Sequence, residues 1–257
     1  MQFSLSALYM ALLLALAGQC CCDNWHVIVS TSRYWFNYRH LSNSLSVYAI
    51  LKQLQVPDDR ILLMNSVSVA CDPRNAAHGV MYNDHKLHKF DLCSMGVETD
   101  YEGDDVSVNN FVNLLTGRYD EDLPLHKRLQ STNESTVFVY MAGHGGDEFL
   151  KFHDHEEITA AVIGAAVNEM SAKNRFKELV LMIDTCQAST LGNYLDMNGV
   201  GTEVTFIASS SKGENSYGYN LDEELGIALI DRFTFGLFEF FRTKIGLFEP
   251  QLVSDKG

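Results

Sequence analysis

Residues Leu179–Ala188 read LVLMIDTCQA, and residues Val137–Gly146 read VFVYMAGHGG. Each is an apolar run, rich in β-branched and aromatic residues, that stops abruptly at a polar residue of catalytic type. A short continuous apolar run bounded by turn residues reads as a strand buried on both faces, as in a parallel sheet. In open α/β sheets the chemistry gathers beyond the carboxyl ends of the strands. These two strands should therefore deliver His144 and Cys186 to one edge, where a thiol beside an imidazole makes an activated nucleophile. The stretch between them is long enough for a crossover helix joining neighbouring parallel strands.

The chain on either side has the same alternating character. Trp25–Thr31 reads as a first strand, Ser32–Arg39 as an aromatic-rich loop, and His40–Leu54 as a helix with Leu41, Leu45, Tyr48, Ala49 and Leu51 at helical spacing. Val56-Pro57-Asp58-Asp59 ends it, and Ile61–Met64 is the next strand, which completes a βαβ unit. Ser66–Glu102 is long, polar and irregular, with three His and two Cys. Asp105–Leu115 has a helical pattern. Glu156–Lys173 is expected to be a helix with Ile158, Val162, Ile163, Ala166, Val167 and Met170 along one face. Val204–Ala208 is a further strand, and Glu223–Lys244 a terminal helix whose Asp231, Arg232, Glu239, Arg242 and Lys244 disqualify it as a membrane span. The expected architecture is a single α/β domain over residues 23–245 with a mostly parallel central sheet.

The chain has 257 residues and a formal net charge of −14, with no Lys/Arg cluster, which argues against a nucleic-acid partner. Residues 1–22 read as a secretory signal with cleavage between 17 and 22: Ala7–Ala17 is too short an apolar run to span a bilayer and is followed by small residues. An oxidising compartment favours disulfides. After cleavage past Cys22 the remaining cysteines are Cys71, Cys93 and Cys186. A nucleophilic Cys186 must stay free, so Cys71 and Cys93 pair with each other or one bonds to another chain. Asn133-Glu134-Ser135 is a glycosylation sequon.

At the centre, Cys186 stands at a strand end before Gln187-Ala188-Ser189, a candidate helix start whose N–H groups would favour a thiolate. His144 lies between Gly143 and Gly145-Gly146, where glycine permits close backbone approach and unusual φ/ψ. The N–H groups of Gly145 and Cys186 are candidates for an oxyanion hole. Two histidine-bearing stretches, 85–88 and 153–157, sit in polar segments and read as solvated surface rather than as metal ligands.

These motifs carry a resemblance. His144-Gly145-Gly146 after one apolar strand and Asp184-Thr185-Cys186-Gln187-Ala188 after another resemble the caspase-like cysteine peptidase clan. Within it they are most similar to the legumain-related family that includes the catalytic subunits of GPI-anchor transamidases. The similarity extends to residues 31–40 (TSRYWFNYRH), 56–61, 70–75, 108–117, 143–152 and 208–210, and covers roughly Asn24 to Phe241. It implies a caspase-like fold, Cys186 as nucleophile, His144 as general base and acid, and Asn37 as the group that orients the imidazole. It also implies substrate contacts at Ser216 and Arg39, although a companion position of Ser216 is Gly218 here. A structural Ca²⁺ is implied at Asp58, the Ile61 carbonyl, Glu98 and Asp100, with no organic cofactor. Cys71 falls where the family makes a disulfide to a partner subunit.

The activity implied is transamidation. The C-terminal signal peptide of a proprotein is cleaved, and the acyl group passes through a thioester to the ethanolamine amine of a GPI lipid. The setting implied is the endoplasmic reticulum lumen, with the chain held to the membrane by other subunits of the complex. A soluble asparaginyl-type endopeptidase and a non-catalytic scaffold are the alternatives. Residues 246–257 read as a C-terminal remnant without a transmembrane span, as in a soluble variant, a fragment or a splice form.

Overall fold

The computed structural model describes residues 23–84, 96–196 and 203–248. The expected signal segment, Cys93 and the 85–88 histidines lie outside them. The centre is a six-stranded sheet, all of whose pairings are parallel. Its strands are β1 (Asn24–Ser30), β2 (Ile61–Asn65), β3 (Tyr101–Glu102), β4 (Thr136–Ala142), β8 (Glu178–Asp184) and β9 (Glu203–Ala208), in the spatial order β3-β2-β1-β4-β8-β9. This is the parallel α/β arrangement expected from the two opening runs, and it agrees with the caspase-like fold that the resemblance implied.

The sheet is sandwiched. Successive β1 side chains alternate between two cores: Ile28 faces one, and Trp25, Val27 and Val29 face the other. Helix α1 (Tyr38–Gln53) lies on the first side, and Leu41, Leu45, Val47, Tyr48, Ala49, Ile50 and Leu51 are all buried. It shares that core with α4 (Arg232–Thr243) through Phe238 and Phe241. The second side is covered by α2 (Val108–Thr116) and α3 (Ala160–Ala172). Ser107 caps α2 by accepting the Asn110 N–H at 3.1 Å, and Gly117 closes it in the left-handed conformation at φ 69°.

Two expected helices are shorter than their sequence pattern implied. Glu156–Thr159 is a strand, β7, not the first turn of α3; it pairs with β6 (Phe149–Phe152), which pairs with β5 (Gly145–Gly146). The physical reason is a change of period. Within β6 and β7, Leu150, Phe152 and Ile158 are buried while the strand residues beside them are not, the period-two signature of a half-buried strand. The Thr159 hydroxyl then accepts the Val162 N–H at 3.3 Å and starts the helix, leaving Val162 on the exposed side. At the C-terminal end, Ile227–Asp231 is a strand, β11, paired antiparallel with β10 (Gly218–Asp222), and only Arg232–Thr243 is helical. Asp231, expected among the charges of that helix, is instead buried beside the α1 N-terminal turn. Among the described residues no helix is long and apolar enough to cross a membrane.

Candidate active site

Strands β4 and β8 pair in parallel with Ala142 opposite Asp184, and the Gly143 N–H donates to the Asp184 carbonyl at 3.4 Å. His144 and Cys186 each stand two residues past those matched ends. Neighbouring strands run roughly 4.8 Å apart, so the register itself brings these two residues to the same carboxyl edge.

Gly143 and Gly145 bracket His144, and the need is room rather than unusual torsion. A Cβ on Gly143 would meet Thr31 Oγ1 at 2.0 Å, and one on Gly145 would meet the Phe149 carbonyl and Thr185 Oγ1 at 2.6 Å each. Neither has the positive φ that the sequence made plausible.

Asn37 ends the 3₁₀ turn Trp35–Asn37 and is buried. Its Oδ1 lies 2.7 Å from His144 Nε2, and its Nδ2 donates to the Arg33 carbonyl at 2.5 Å. Because the amide nitrogen is committed to Arg33, the oxygen faces the ring and must accept; Nε2 therefore carries hydrogen and Nδ1 is left as the basic nitrogen. The His40 ring abuts the His144 ring edge-on at 4.8 Å. Partial burial holds His144 below the ordinary imidazole range, helped by the Arg39 and Lys151 charges and opposed by Asp154.

Cys186 sits on a tight elbow made by Gln187, which is left-handed at φ 53° and ψ 30°. The expected helix start is absent as such. Ala188–Gly192 is a five-residue 3₁₀ turn, and its first N–H groups are already taken. Gln187 donates to the Glu214 carbonyl, Ala188 to Ser210 Oγ and Ser189 to the Ser210 carbonyl. Ser209 and Ser210 grip the other side, donating to the Thr185 carbonyl at 3.1 and 2.7 Å. Among the described residues the Cys186 N–H meets no acceptor, which leaves it available to a developing oxyanion. The half-buried thiol points toward the Ser216 carbonyl at 4.0 Å.

Beneath the elbow lies a polar network that sequence reading missed. Ser216 Oγ and Thr234 Oγ1 donate to the two oxygens of buried Asp184 at 2.7 Å each. Arg39 Nε and Asn43 Nδ2 donate to the two oxygens of buried Asp231 at 3.0 and 2.6 Å. Burial, then repulsion from Asp184, pushes Asp231 up to about 7, against the pull of Arg39 and Asn43; burial likewise raises Asp184. The Arg39 stem runs beside Gly218, where a Cβ would stand 3.5 Å from Arg39 Cδ. The predicted substrate residues Ser216 and Arg39 are thus brought to the site, each anchored to a buried carboxylate. The one signal in sequence for this network was the acidic residue closing each apolar strand.

The other predicted positions lie elsewhere. Cys71 is exposed with a free thiol, and Asn133 is exposed in a turn. At the expected calcium residues, the Asp58 carboxylate takes the Tyr48 hydroxyl at 2.5 Å and the Lys52 ammonium. Asp100 accepts the Leu63 N–H at 2.9 Å, Ile61 opens β2, and Glu98 is exposed. Among the described residues no three acidic, His or Cys side chains converge to hold a metal ion. Asp58 and Glu98 both border Tyr48, and Glu98 repels the Asp100 carboxylate, so these residues lie near one another, with the Lys52 ammonium on Asp58. His153, expected at the solvated surface, is buried.

Comparison with known proteins bears on the same residues. The GPI-anchor transamidase of Saccharomyces cerevisiae is 47% identical over 218 residues, 85% of this chain and 52% of the relative. Those of Schizosaccharomyces pombe and Homo sapiens are 40% and 43% identical over 223 and 219 residues, which cover 87% and 85% of this chain and 57% and 54% of those relatives. The chain thus spans about half the length of the curated relatives it matches. The model of the Peptidase C13 family matches residues 24–242, a span that holds Asn37, His144 and Cys186. With that match across nearly all of the described fold, the chain belongs to the peptidase C13 family.

Proposed function

We propose that this chain is the catalytic part of a cysteine-dependent transamidase that attaches proteins to GPI. The observation that carries the reading is the matched register of β4 and β8, which ends in His144 and Cys186 with Asn37 fixing the imidazole. The names of the relatives support transamidation over simple hydrolysis.

In the first half-reaction the Cys186 thiol gives its proton to His144 Nδ1, and the sulfur attacks the carbonyl of a small residue near the substrate's C-terminus. The oxyanion is met by the Cys186 N–H, with Gly145 as the expected second donor. The C–N bond breaks, and the C-terminal signal peptide leaves as an amine carrying the proton from His144. In the second half the ethanolamine amine of GPI attacks the thioester and gives its proton to His144. The new amide forms, and the sulfur leaves to regain the proton. Both halves are acyl transfers, so one constellation serves twice.

The extended peptide has a place to lie. Among the described residues β10 pairs only with β11, and the residues leading into it place Ser216 against the thiol. A substrate strand added to that free edge would present its carbonyl to Cys186. Exposed Cys71 suits a disulfide to a partner subunit, and exposed Asn133 suits a glycan, both as expected of a chain in the endoplasmic reticulum lumen.

The test is a signal-bearing model proprotein incubated with hydroxylamine or hydrazine. The hydroxamate or hydrazide should form, and Cys186→Ala should abolish it. Free acid as the sole product would instead indicate a legumain-like endopeptidase. GPI attachment that survives Cys186→Ala in cells would indicate a scaffold.

A further inference from the structure

The loop that carries Asn37 is tied down from one side by the turn between β6 and β7. The His153 N–H donates to the Thr31 carbonyl at 2.6 Å. The Arg33 Nε donates to His153 Nδ1 at 2.6 Å, and the Arg33 carbonyl accepts from Asn37 Nδ2. The Arg33 guanidinium also pairs with Asp104 just after β3. His153 is buried, takes the left-handed backbone conformation at φ 54°, and stacks flat on His155 at 5.5 Å. A continuous run of contacts therefore leads from His153 through Arg33 and Asn37 to the His144 ring.

We propose that His153 and Arg33 are positioning residues for the general base, and that protonation of His153 releases the Asn37 loop and so adds a second, acid-side gate to the reactivity of Cys186. The contact at Nδ1 fixes the chemistry. An arginine nitrogen only donates, so Nδ1 must accept, and His153 must be neutral with its hydrogen on Nε2. A proton added at Nδ1 removes the acceptor and sets an imidazolium against a guanidinium.

The charges around the ring decide how far this is offset. Arg33 and His155 oppose protonation; Glu156, the Val106 main chain, and Asp104 behind the guanidinium favour it. Burial is the largest influence, and together they hold His153 below the ordinary imidazole range. In its neutral form the ring secures Arg33. Once protonated it repels the Arg33 side chain, and the loop backbone shifts with it, carrying the Arg33 carbonyl away from the Asn37 amide that it holds.

The inference is tested without relying on any substrate. The full chain is treated with iodoacetamide across acid to neutral pH, and modification of the Cys186 tryptic peptide is followed by mass spectrometry. Cys71 and Cys93 are then counted separately. In the wild type the alkylation rate should fall on the acid side with the steepness of two protonations. His153→Gln keeps an acceptor but cannot titrate; its rate at neutral pH should match the wild type, and its acid limb should lose one proton's steepness. His153→Leu removes the acceptor, and its rate should fall about tenfold at neutral pH as the imidazole loses its orientation. Both variants' thermal midpoints identify any general loss of fold. Coincident wild-type and His153→Gln profiles, or an unchanged neutral rate in folded His153→Leu, would overturn the proposal. Because no transamidation is measured, such a result would leave the proposed function standing.

Discussion

The side-chain oxygen of Asn37 lies 2.7 Å from Nε2 of His144, across 107 residues of sequence. That contact selects the ring tautomer and leaves Nδ1 as the basic nitrogen, so the reactivity of Cys186 depends on an amide in a different loop.

Asn37→Ala should lower kcat about 10- to 100-fold with little change in KM, because the imidazole loses its orientation and not its place in the substrate cleft. Asn37→Asp should restore part of the rate and move the acid limb to higher pH, since a carboxylate favours the imidazolium. Hydroxamate formation across pH, measured for both variants, checks the pair.

The acid limb of the wild type should lie below the ordinary imidazole value of 6.5, because burial, then the Arg39 and Lys151 charges, hold His144 in its neutral, basic form. Removing the Lys151 charge with Lys151→Gln lessens the repulsion of a proton. His144 then titrates at higher pH, and the limb should move upward by a fraction of a pH unit. A downward shift would contradict the assignment of His144 as the base.

Gly143→Ala should destabilise the fold by about 1–3 kcal/mol, as overpacking does, because its Cβ would meet Thr31 Oγ1 at 2.0 Å. The strand end must move to relieve the clash, so activity should fall more than stability alone explains. Urea midpoints and rates measured on the same preparation separate the two effects.

Asp231 carries a stability signature with a definite sign. Its native value, about 7, lies above the ordinary 3.8. Between those values the native state keeps a proton that the unfolded chain has released, so this group's contribution to stability falls as pH rises through the window. Buried His40 lies well below its ordinary value and acts in the opposite direction. Asp231→Asn removes the first effect and also takes away a carboxylate 3.7 Å from His40 Nε2, so it does not raise the His40 contribution. From about pH 4 to about pH 7 the variant should therefore gain on the wild type by up to roughly 4 kcal/mol, read from urea unfolding at each pH.

The parallel sheet was legible in the sequence because a strand covered on both faces is apolar throughout, and the end of such a run is visible locally. The same logic exposed His144 and Cys186, since polar residues directly after buried runs stand at the edge where chemistry gathers. The sequence was silent where period and distance compete. Ile158 fits a helical stripe as well as a strand alternation, and only pairing of β7 with β6 decided between them. Asp231 looked like a solvated helix charge until β11 carried it to Arg39, 192 residues away in the chain.

Composition and pattern thus determined the class of fold and the two reacting groups, because burial on both faces writes itself into consecutive residues. Resemblance had already named Asn37 for the imidazole; the tertiary structure alone decided the rest of the wiring: Ser209 and Ser210 on the elbow, His153 on Arg33, and two carboxylates sealed under the cleft. Hydrogen-bond partners that meet only when the chain has closed leave no periodic trace in it.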